Sequence, residues 1–144
     1  MQMYKSLSVA LAMIAISLLS SLVALAAVGA AQQAVIDHYA AAAKAADPGF
    51  KGFSADRGHA FFLAKHDANA DTPSCSTCHT TDPRQPGQTR VGKAIDPMAV
   101  SVNPQRFTDL EKIELWFRRN CNTVLGRECT VLEKGDYVTF MASQ

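Results

Sequence analysis

Cys75-Ser76-Thr77-Cys78-His79 is the stretch that decides how this 144-residue chain is interpreted. The pattern Cys-x-x-Cys-His is typical of covalent attachment of haem c. Two thiols separated by two residues can form thioethers with the two vinyl groups on one edge of a porphyrin, and the histidine that follows can bind the iron. We therefore predict one covalent haem c, with Cys75 and Cys78 as attachment residues and His79 as the proximal iron ligand.

Two other chemistries use paired cysteines. A structural zinc site needs a second ligand pair at short spacing, whereas the remaining cysteines, Cys121 and Cys129, are distant in sequence and eight residues apart. A thioredoxin-like redox pair belongs to an alternating β/α pattern, and the sequence has no such pattern. Haem attachment is the favoured interpretation.

The N-terminus has the layout of an export signal. A short start with one positive charge, Lys5, precedes an apolar run over residues 7–28, and small residues follow at 29–31. We predict a signal peptide at 1–31, cleaved near Ala31, and a single mature domain at 32–144. The alternative is an uncleaved anchor, because the run is long enough to span a bilayer. Either way the domain is expected in the periplasm, where disulfides can form.

Charge patterning argues against a nucleic-acid partner. The chain holds 14 Lys and Arg against 13 Asp and Glu, and removing Lys5 with the leader leaves 14 − 1 = 13 of each sign. No basic block interleaved with aromatic residues occurs, so we expect no nucleic-acid binding.

Periodicity and capping signals predict an all-α domain of four to five short helices. An alanine-rich segment at 33–46 favours a helix, and a second helix is expected from an N-cap at Ser54 to about His66. Residues 80–104, rich in Pro, Gly, Asp and Thr, are expected to form mostly loop around the haem.

Two capping boxes mark the C-terminal third. Thr108 with Glu111, and Thr130 with Glu133, each place Thr three residues before Glu. The first predicts a helix whose apolar residues recur at Leu110, Ile113, Trp116 and Phe117, with Arg118 and Arg119 in its last turn. Residues 120–129 are then expected to form a loop, followed by the C-terminal helix.

These features resemble class I cytochrome c, in which a helix with a glycine and an aromatic residue four positions on (here Gly58 and Phe62) precedes the haem motif. A closer resemblance is to the sphaeroides haem protein family of small periplasmic monohaem cytochromes. The matching segments are Phe-Ser-Ala-Asp-Arg-Gly at 53–58, Cys-Ser-Thr-Cys-His-Thr at 75–80, Asn-Pro-Gln-Arg-Phe-Thr-Asp at 103–109, Trp-Phe-Arg-Arg-Asn-Cys-Asn at 116–122 and Leu-Gly-Arg-Glu-Cys-Thr at 125–130.

That resemblance implies a class I cytochrome c-like fold, an asparagine as sixth iron ligand and a neighbouring disulfide, which would join Cys121 and Cys129. It also implies that the reduced haem binds oxygen and nitric oxide. The resemblance further implies that the electron donor is another c-type cytochrome, of a multihaem, membrane-linked kind.

The residues themselves leave the sixth ligand open. The segment before the last helix, where a class I cytochrome usually holds its methionine, contains none; Met98 lies in the loop-rich segment instead. Asn120 lies four residues past Trp116, so it can share a helix face that meets the haem, but an asparagine there can also be a helix C-cap. Asn122 is a further alternative. The missing methionine, the position of Asn120 on this helix face and the resemblance together favour Asn120 as the sixth ligand.

Other donors complete the set of candidates. A thiolate from Cys121 or Cys129 is disfavoured because the second cysteine invites oxidation. His38, His59 and His66 could each give bis-histidine ligation, although all three are expected on helices as surface residues. Trp116 and Phe117 are expected to pack on the haem. Arg118 and Arg119, with Arg90 and Lys93, are candidates for pairing with its propionates.

Two functional hypotheses follow. In the first, an amide oxygen holds ferric iron, binds ferrous iron poorly and leaves on reduction, so that a diatomic can bind. In the second, the protein is a simple electron carrier with a permanent methionine or histidine ligand. A catalytic variant of the first hypothesis, turning over nitric oxide with bound oxygen, has only Thr123 as a candidate proton donor.

Overall fold

A computed structural model describes residues 28–144 of the chain. It confirms the all-α prediction, with five helices in the described part. These are α1 (Ala30–Ala46), α2 (Ala55–Leu63), α3 (Ser76–His79), α4 (Leu110–Leu125) and α5 (Val131–Ala142). The leader predicted at 1–31 lies, up to residue 27, outside the described residues. Among residues 28–144, no helix combines the length and the apolar character needed to cross a membrane.

The crossing of α2 and α5 is the centre of the fold. Gly58 of α2 is buried, and a Cβ at this position would overlap the carbonyl oxygen of Asp136 in α5. The absence of a side chain therefore lets the two helix backbones approach closely. Next to this contact, Phe62 is fully buried and packs against Tyr137 and Phe140, with ring centroids 6.1 and 5.9 Å away.

A buried carboxylate fastens the same crossing. The Nε and Nη2 atoms of Arg57 donate to the two carboxylate oxygens of Asp136 at 2.7 and 2.8 Å, and the Ser54 backbone N–H donates at 2.7 Å. Asp136 is only 4% exposed. A buried charge needs such partners, so these hydrogen bonds fix the position of the start of α2 against α5.

The N-terminal helix α1 confirms the prediction for 33–46 and begins three residues earlier. It packs against α5 through a buried face that includes Val35, Tyr39 and Ala43. Gln32, 3% exposed, donates its side-chain amide to the carbonyl oxygens of Pro104 and Arg106 at 2.8 and 2.9 Å. Helix α1 is thereby fixed to the segment that leads into α4.

Helix α2 starts where the sequence predicts and ends sooner. The Ser54 hydroxyl accepts from the Arg57 backbone N–H, which confirms the N-cap. The helix ends at Leu63 rather than near His66, because the His66 N–H donates instead to the carbonyl of Pro73 at 2.8 Å. His66 therefore lies outside a helix, contrary to prediction.

The boundaries of α4 correct two predictions. Its N-cap is Asp109, which accepts from the Lys112 N–H, and not Thr108, whose hydroxyl donates to Gln105. The expected loop at 120–129 is wrong in its first half, since the helix continues to Leu125. Cys121 and Val124 extend the buried face of Ile113 and Phe117, and the first residue that stops the helix is Gly126, a left-handed C-cap with φ +68°.

The remaining elements differ little from expectation. The capping box of Thr130 and Glu133 is present at the start of α5. Residues 80–104 form mostly loop, hereafter the wrap. The wrap contains one short hairpin that the sequence did not indicate, in which β1 (Gly87–Gln88) pairs antiparallel with β2 (Ala94–Ile95).

Candidate haem site

The attachment motif forms the single-turn helix α3. The His79 N–H donates to the Cys75 carbonyl at 3.2 Å, so Cys75 and His79 lie one helical turn apart on the same side. The Ser74 hydroxyl is within hydrogen-bond distance of the hydroxyls of Ser76 and Thr77, at 2.8 and 3.0 Å. These local bonds give the motif a defined shape before any long-range contact is considered.

His79 is largely buried and carries a polar atom without a partner. Its Nδ1 atom is buried and makes no hydrogen bond with any residue in 28–144. Burial, followed by the positive charge of Arg106, lowers the pKa of His79 to about 4. The imidazole is therefore neutral at pH 7, which is the form that binds a metal.

The wrap packs against one side of the attachment motif. A Cβ at Gly87 in β1 would overlap the Cys78 carbonyl oxygen, so the hairpin lies directly against α3. Thr80, with φ 60°, turns the chain sharply out of α3, and its hydroxyl donates to the Asp82 carbonyl at 2.7 Å. An open cleft of about 670 Å³ runs beside Cys78 along this hairpin.

The donor set fits a covalent haem. Cys75 and Cys78 are unbridged, and burial raises the pKa of the Cys75 thiol to about 11. The other two cysteines are used elsewhere, and within the described region no three His, Cys, Asp or Glu side chains converge as a metal cluster. The zinc alternative therefore lacks its second ligand pair. Two free thiols and a neutral histidine on one turn match the chemistry of haem attachment.

Helix α4 carries the candidates for the opposite ligand. Cys121 in α4 is joined to Cys129, just before α5, by a disulfide with a Cα–Cα distance of 5.6 Å. Asn120 lies immediately before this bridge, on the exposed side of the helix. Since α4 continues to Leu125, Asn120 is five residues inside the helix, and the alternative role as a C-cap is wrong.

The two asparagines of α4 differ in their partners. The Asn122 side-chain amide donates to the Arg118 carbonyl one turn back at 2.6 Å. The Thr123 hydroxyl likewise donates to the Arg119 carbonyl at 3.0 Å. The Asn120 side chain makes no hydrogen bond to any residue of the described segment, so its amide is free to bind another group.

The other predicted site residues are spread over the molecule. Phe117 is buried between Tyr39 and Tyr137, with centroids 6.3 and 5.5 Å away. Trp116 is 48% exposed, and the Arg119 guanidinium lies 5.6 Å from its ring centroid. Met98 is buried in the core cluster, with 8% exposure.

The candidate charged and histidine ligands are mainly superficial. Arg90 is exposed and pairs with Asp71 at 2.8 Å, and the side chains of Arg118 and Lys93 are also exposed. His38 is exposed on α1, and His59 is exposed on α2 and stacks on Phe140 at 4.8 Å. His66 is half-buried beside Phe61.

Sequence reasoning missed a polar network that holds α4. The Tyr39 hydroxyl of α1 donates to Glu114 Oε1 at 2.6 Å, and Lys134 Nζ of α5 donates to Oε2 at 2.7 Å. Burial, with Glu114 adding to it, raises the pKa of Tyr39 well above its ordinary value, so the phenol remains a donor. No local pattern reveals this network, because its three residues come from three helices.

Together the fold and the site define a class I-like c-type cytochrome with one haem c. Residues 48–141 match the model of a family described as a domain of unknown function, DUF1924. The chain belongs to this family.

Two curated relatives are c-type cytochromes. Cytochrome c-type protein SHP of Cereibacter sphaeroides is 50% identical over 91 residues, covering 62% of this chain and 70% of the relative. Cytochrome c'' of Methylophilus methylotrophus is 34% identical over 108 residues, covering 74% and 75%.

Solved structures agree with the sequence matches. Oxidised SHP, described as an oxygen-binding cytochrome c, superposes with a TM-score of 0.72 at 45% identity, over 78% of this chain and 96% of SHP. The solution structure of the Methylophilus cytochrome c'', which addresses haem-ligand detachment, gives a TM-score of 0.68 at 32% identity, over 78% and 93%. The resemblance to the sphaeroides haem protein family is thus confirmed.

Proposed function

We propose that this protein is a periplasmic cytochrome with His79 and Asn120 as axial iron ligands, whose ferrous form binds oxygen or nitric oxide. The observation that supports the proposal is the side-chain amide of Asn120, which makes no hydrogen bond to any residue in 28–144 and lies on a helix held by a disulfide one residue further on. Asn122, the other amide of this helix, is already engaged by the Arg118 carbonyl.

When bound, haem c would supply an iron that changes oxidation state. Cys75 and Cys78 would hold the porphyrin by thioethers, and the neutral imidazole of His79 would bind the iron. Phe117 and Tyr137 belong to the buried apolar core against which Cys75 packs and would limit access of water there, whereas Trp116 is 48% exposed on α4.

The Asn120 amide oxygen is a hard, weak donor. It would bind ferric iron better than ferrous iron, so reduction of the iron would favour release of the Asn120 side chain. The disulfide between Cys121 and Cys129 ties α4 to the start of α5 and keeps the released amide close by. Two relatives support this behaviour, since one binds oxygen and the structure of the other concerns haem-ligand detachment.

Location and partner belong to the same proposal. A cleaved leader at 1–31 would deliver the domain to the periplasm, where covalent haem and the disulfide are compatible with the surroundings. The electron donor is another c-type cytochrome.

The experiment is an optical titration of the reduced holoprotein with carbon monoxide and with oxygen at neutral pH. The proposal expects rapid, saturable binding of carbon monoxide with a shift of the Soret band. A reduced spectrum that stays low-spin and ignores carbon monoxide would overturn it and favour a simple electron carrier. In that case Met98→Ala, which removes the buried thioether, and His66→Ala identify the permanent ligand.

A further inference from the structure

We propose that Tyr39 is a redox-active residue, which gives up one electron while its phenolic proton passes to Glu114. Together with an electron from the ferrous haem, this electron would complete the reduction of hydrogen peroxide to water. The inference rests on the haem of the proposed function, but not on Asn120 as a ligand or on the binding of oxygen or nitric oxide.

The hydrogen bond between Tyr39 and Glu114 has the geometry that a proton transfer needs. The Tyr39 hydroxyl on α1 donates to Glu114 Oε1 on α4 at 2.6 Å, which is the reach expected between a base and the proton it takes. Burial acts to raise the pKa of Glu114, but hydrogen bonds from Lys134 and Tyr39 hold it below its ordinary value. The carboxylate is therefore ionised at neutral pH and able to accept a proton.

Lys134 leaves the correct oxygen of this carboxylate available. Its Nζ atom donates to Oε2 at 2.7 Å, so that Oε1 is the oxygen that meets the phenol. After the transfer, a carboxyl group protonated on Oε1 still accepts from Lys134 through Oε2 and donates back to the Tyr39 oxygen. Both hydrogen bonds are kept in either state, which holds the proton in place for its return.

Aromatic rings connect Tyr39 with the core beside the attachment motif. The Tyr39 ring lies edge-to-face with Phe117 at 6.3 Å between centroids, and Phe117 lies edge-to-face with Tyr137 at 5.5 Å. Cys75 packs against the buried cluster that contains these three rings. An electron can therefore pass from Tyr39 towards the attachment motif in short steps through buried side chains.

Tyr137 lies on the same path but lacks a proton acceptor. Its hydroxyl makes no hydrogen bond to any residue in 28–144, and burial raises its pKa well above the ordinary value. Oxidation of Tyr137 would leave a positively charged phenol in the core, which is costly. Tyr39 can instead lose its proton as it loses the electron, and with only 2% exposure its radical would be shielded from a second molecule.

The electrons and protons of the step balance. Reduction of one hydrogen peroxide to two water molecules breaks the O–O bond and uses two electrons and two protons. One electron would come from ferrous iron, which becomes ferric, and Tyr39 would supply the other and become a neutral phenoxyl radical. The Tyr39 proton goes to Glu114, and solvent provides the two protons that form water. A later electron from the donor cytochrome, with the proton returned from Glu114, would restore Tyr39.

The test is freeze-quench electron paramagnetic resonance of the ferrous holoprotein after mixing with hydrogen peroxide. We expect a tyrosyl radical whose line shape changes when the protein carries ring-deuterated tyrosine and whose formation slows in D2O. Tyr39→Phe keeps the ring and its packing on Phe117, and it should lose the signal. Tyr137→Phe, which also removes a buried hydroxyl, should retain it.

Glu114→Gln separates proton transfer from hydrogen bonding. The glutamine can still accept from the phenol but is a poor base, so the radical signal should be lost. The matched control is Glu111→Gln, an exposed residue of α4 for which no ion pair is recorded in the described segment, and it should behave as wild type. A signal that survives in Tyr39→Phe or in Glu114→Gln, or wild-type protein without a tyrosyl signal, would overturn the inference.

A second oxidant separates this result from the proposed function. Flash excitation of a ruthenium sensitiser with a sacrificial electron acceptor oxidises the ferric holoprotein without using the sixth position of the iron. A radical on Tyr39 is expected here too, and its absence would overturn the inference whatever the ferrous protein binds. Failure of the ferrous protein to bind carbon monoxide would refute the Asn120 proposal and leave this experiment unaffected.

Discussion

The attachment turn α3 and helix α4 hold their candidate ligand residues in two different ways. In α3, the cysteines and His79 are neighbours in sequence, and local hydrogen bonds from Ser74 and Cys75 shape the turn. In α4, Asn120 depends on contacts from distant parts of the chain. The disulfide ties the helix to α5, and the Glu114 network ties it to α1 and α5.

This difference predicts different roles for α3 and α4. Under the proposed function, His79 would stay in place, because it lies on the same turn as the predicted attachment residues. Asn120 is a single side chain on a helix held at two points, so its proposed release would not require the helix to move. The following changes test this division, beginning with the largest effect.

Cys78→Ala should abolish most covalent haem attachment, because one thioether is lost and the remaining thiol, Cys75, is buried and protonated at neutral pH. Intact mass of the exported protein reports the loss directly. Ser76→Ala alters the same turn without removing a thiol and is the matched control. Full haem loading of Cys78→Ala would contradict the assignment of the motif.

The double variant Cys121→Ser with Cys129→Ser should lower the free energy of unfolding by about 2–4 kcal/mol, because the unfolded chain gains freedom. Haem attachment should be unaffected, and carbon monoxide binding to the reduced form should change. Chemical denaturation measures the free energy of unfolding, intact mass measures haem attachment, and an optical titration measures carbon monoxide binding. If haem loading fell while carbon monoxide binding stayed constant, the proposed division of roles between α3 and α4 would be wrong.

Glu114→Gln should have the smallest effect, less than about 1 kcal/mol, since the Glu114 side chain is partly exposed. Burial acts to raise the pKa of Glu114, but hydrogen bonds from Lys134 and Tyr39 hold it below its ordinary value. A carboxyl whose pKa is lower in the folded state than in the unfolded state stabilises the fold at pH values above its ordinary pKa. This stabilisation is lost as the pH falls through the pKa of the folded state.

Glu114→Gln should therefore reduce the melting temperature at pH 7 more than at pH 3. The control is Glu128→Gln, an exposed glutamate for which no ion pair is recorded in the described residues. An equal loss at both pH values would show that the carboxylate charge does not contribute.

The same contrast explains how much the sequence could predict. The haem motif and the Thr130 capping box are local patterns. The relatives confirm the predicted haem c, and the structure confirms the capping box. The end of α4 was missed because nothing between Asn120 and Leu125 breaks a helix, and the buried face formed by Cys121 and Val124 depends on tertiary packing. The Glu114 network was missed because Tyr39 lies 75 residues before Glu114 in the chain.

Other misses have simpler physical reasons. Asp109 rather than Thr108 caps α4, since both residues are good caps and sequence alone does not choose between adjacent ones. The hairpin of β1 and β2 has only two residues in each strand, too few to produce an alternating pattern.

The most direct test of the account is the ferric electron paramagnetic resonance spectrum of Asn120→Ala beside that of Asn122→Ala. The two residues lie on the same helix, but of the two amides only that of Asn122 has a hydrogen-bond partner within residues 28–144. We predict that Asn120→Ala changes the ferric spectrum and speeds carbon monoxide binding after reduction, while Asn122→Ala resembles wild type. A wild-type ferric spectrum in Asn120→Ala would contradict the central claim that this amide is the sixth ligand.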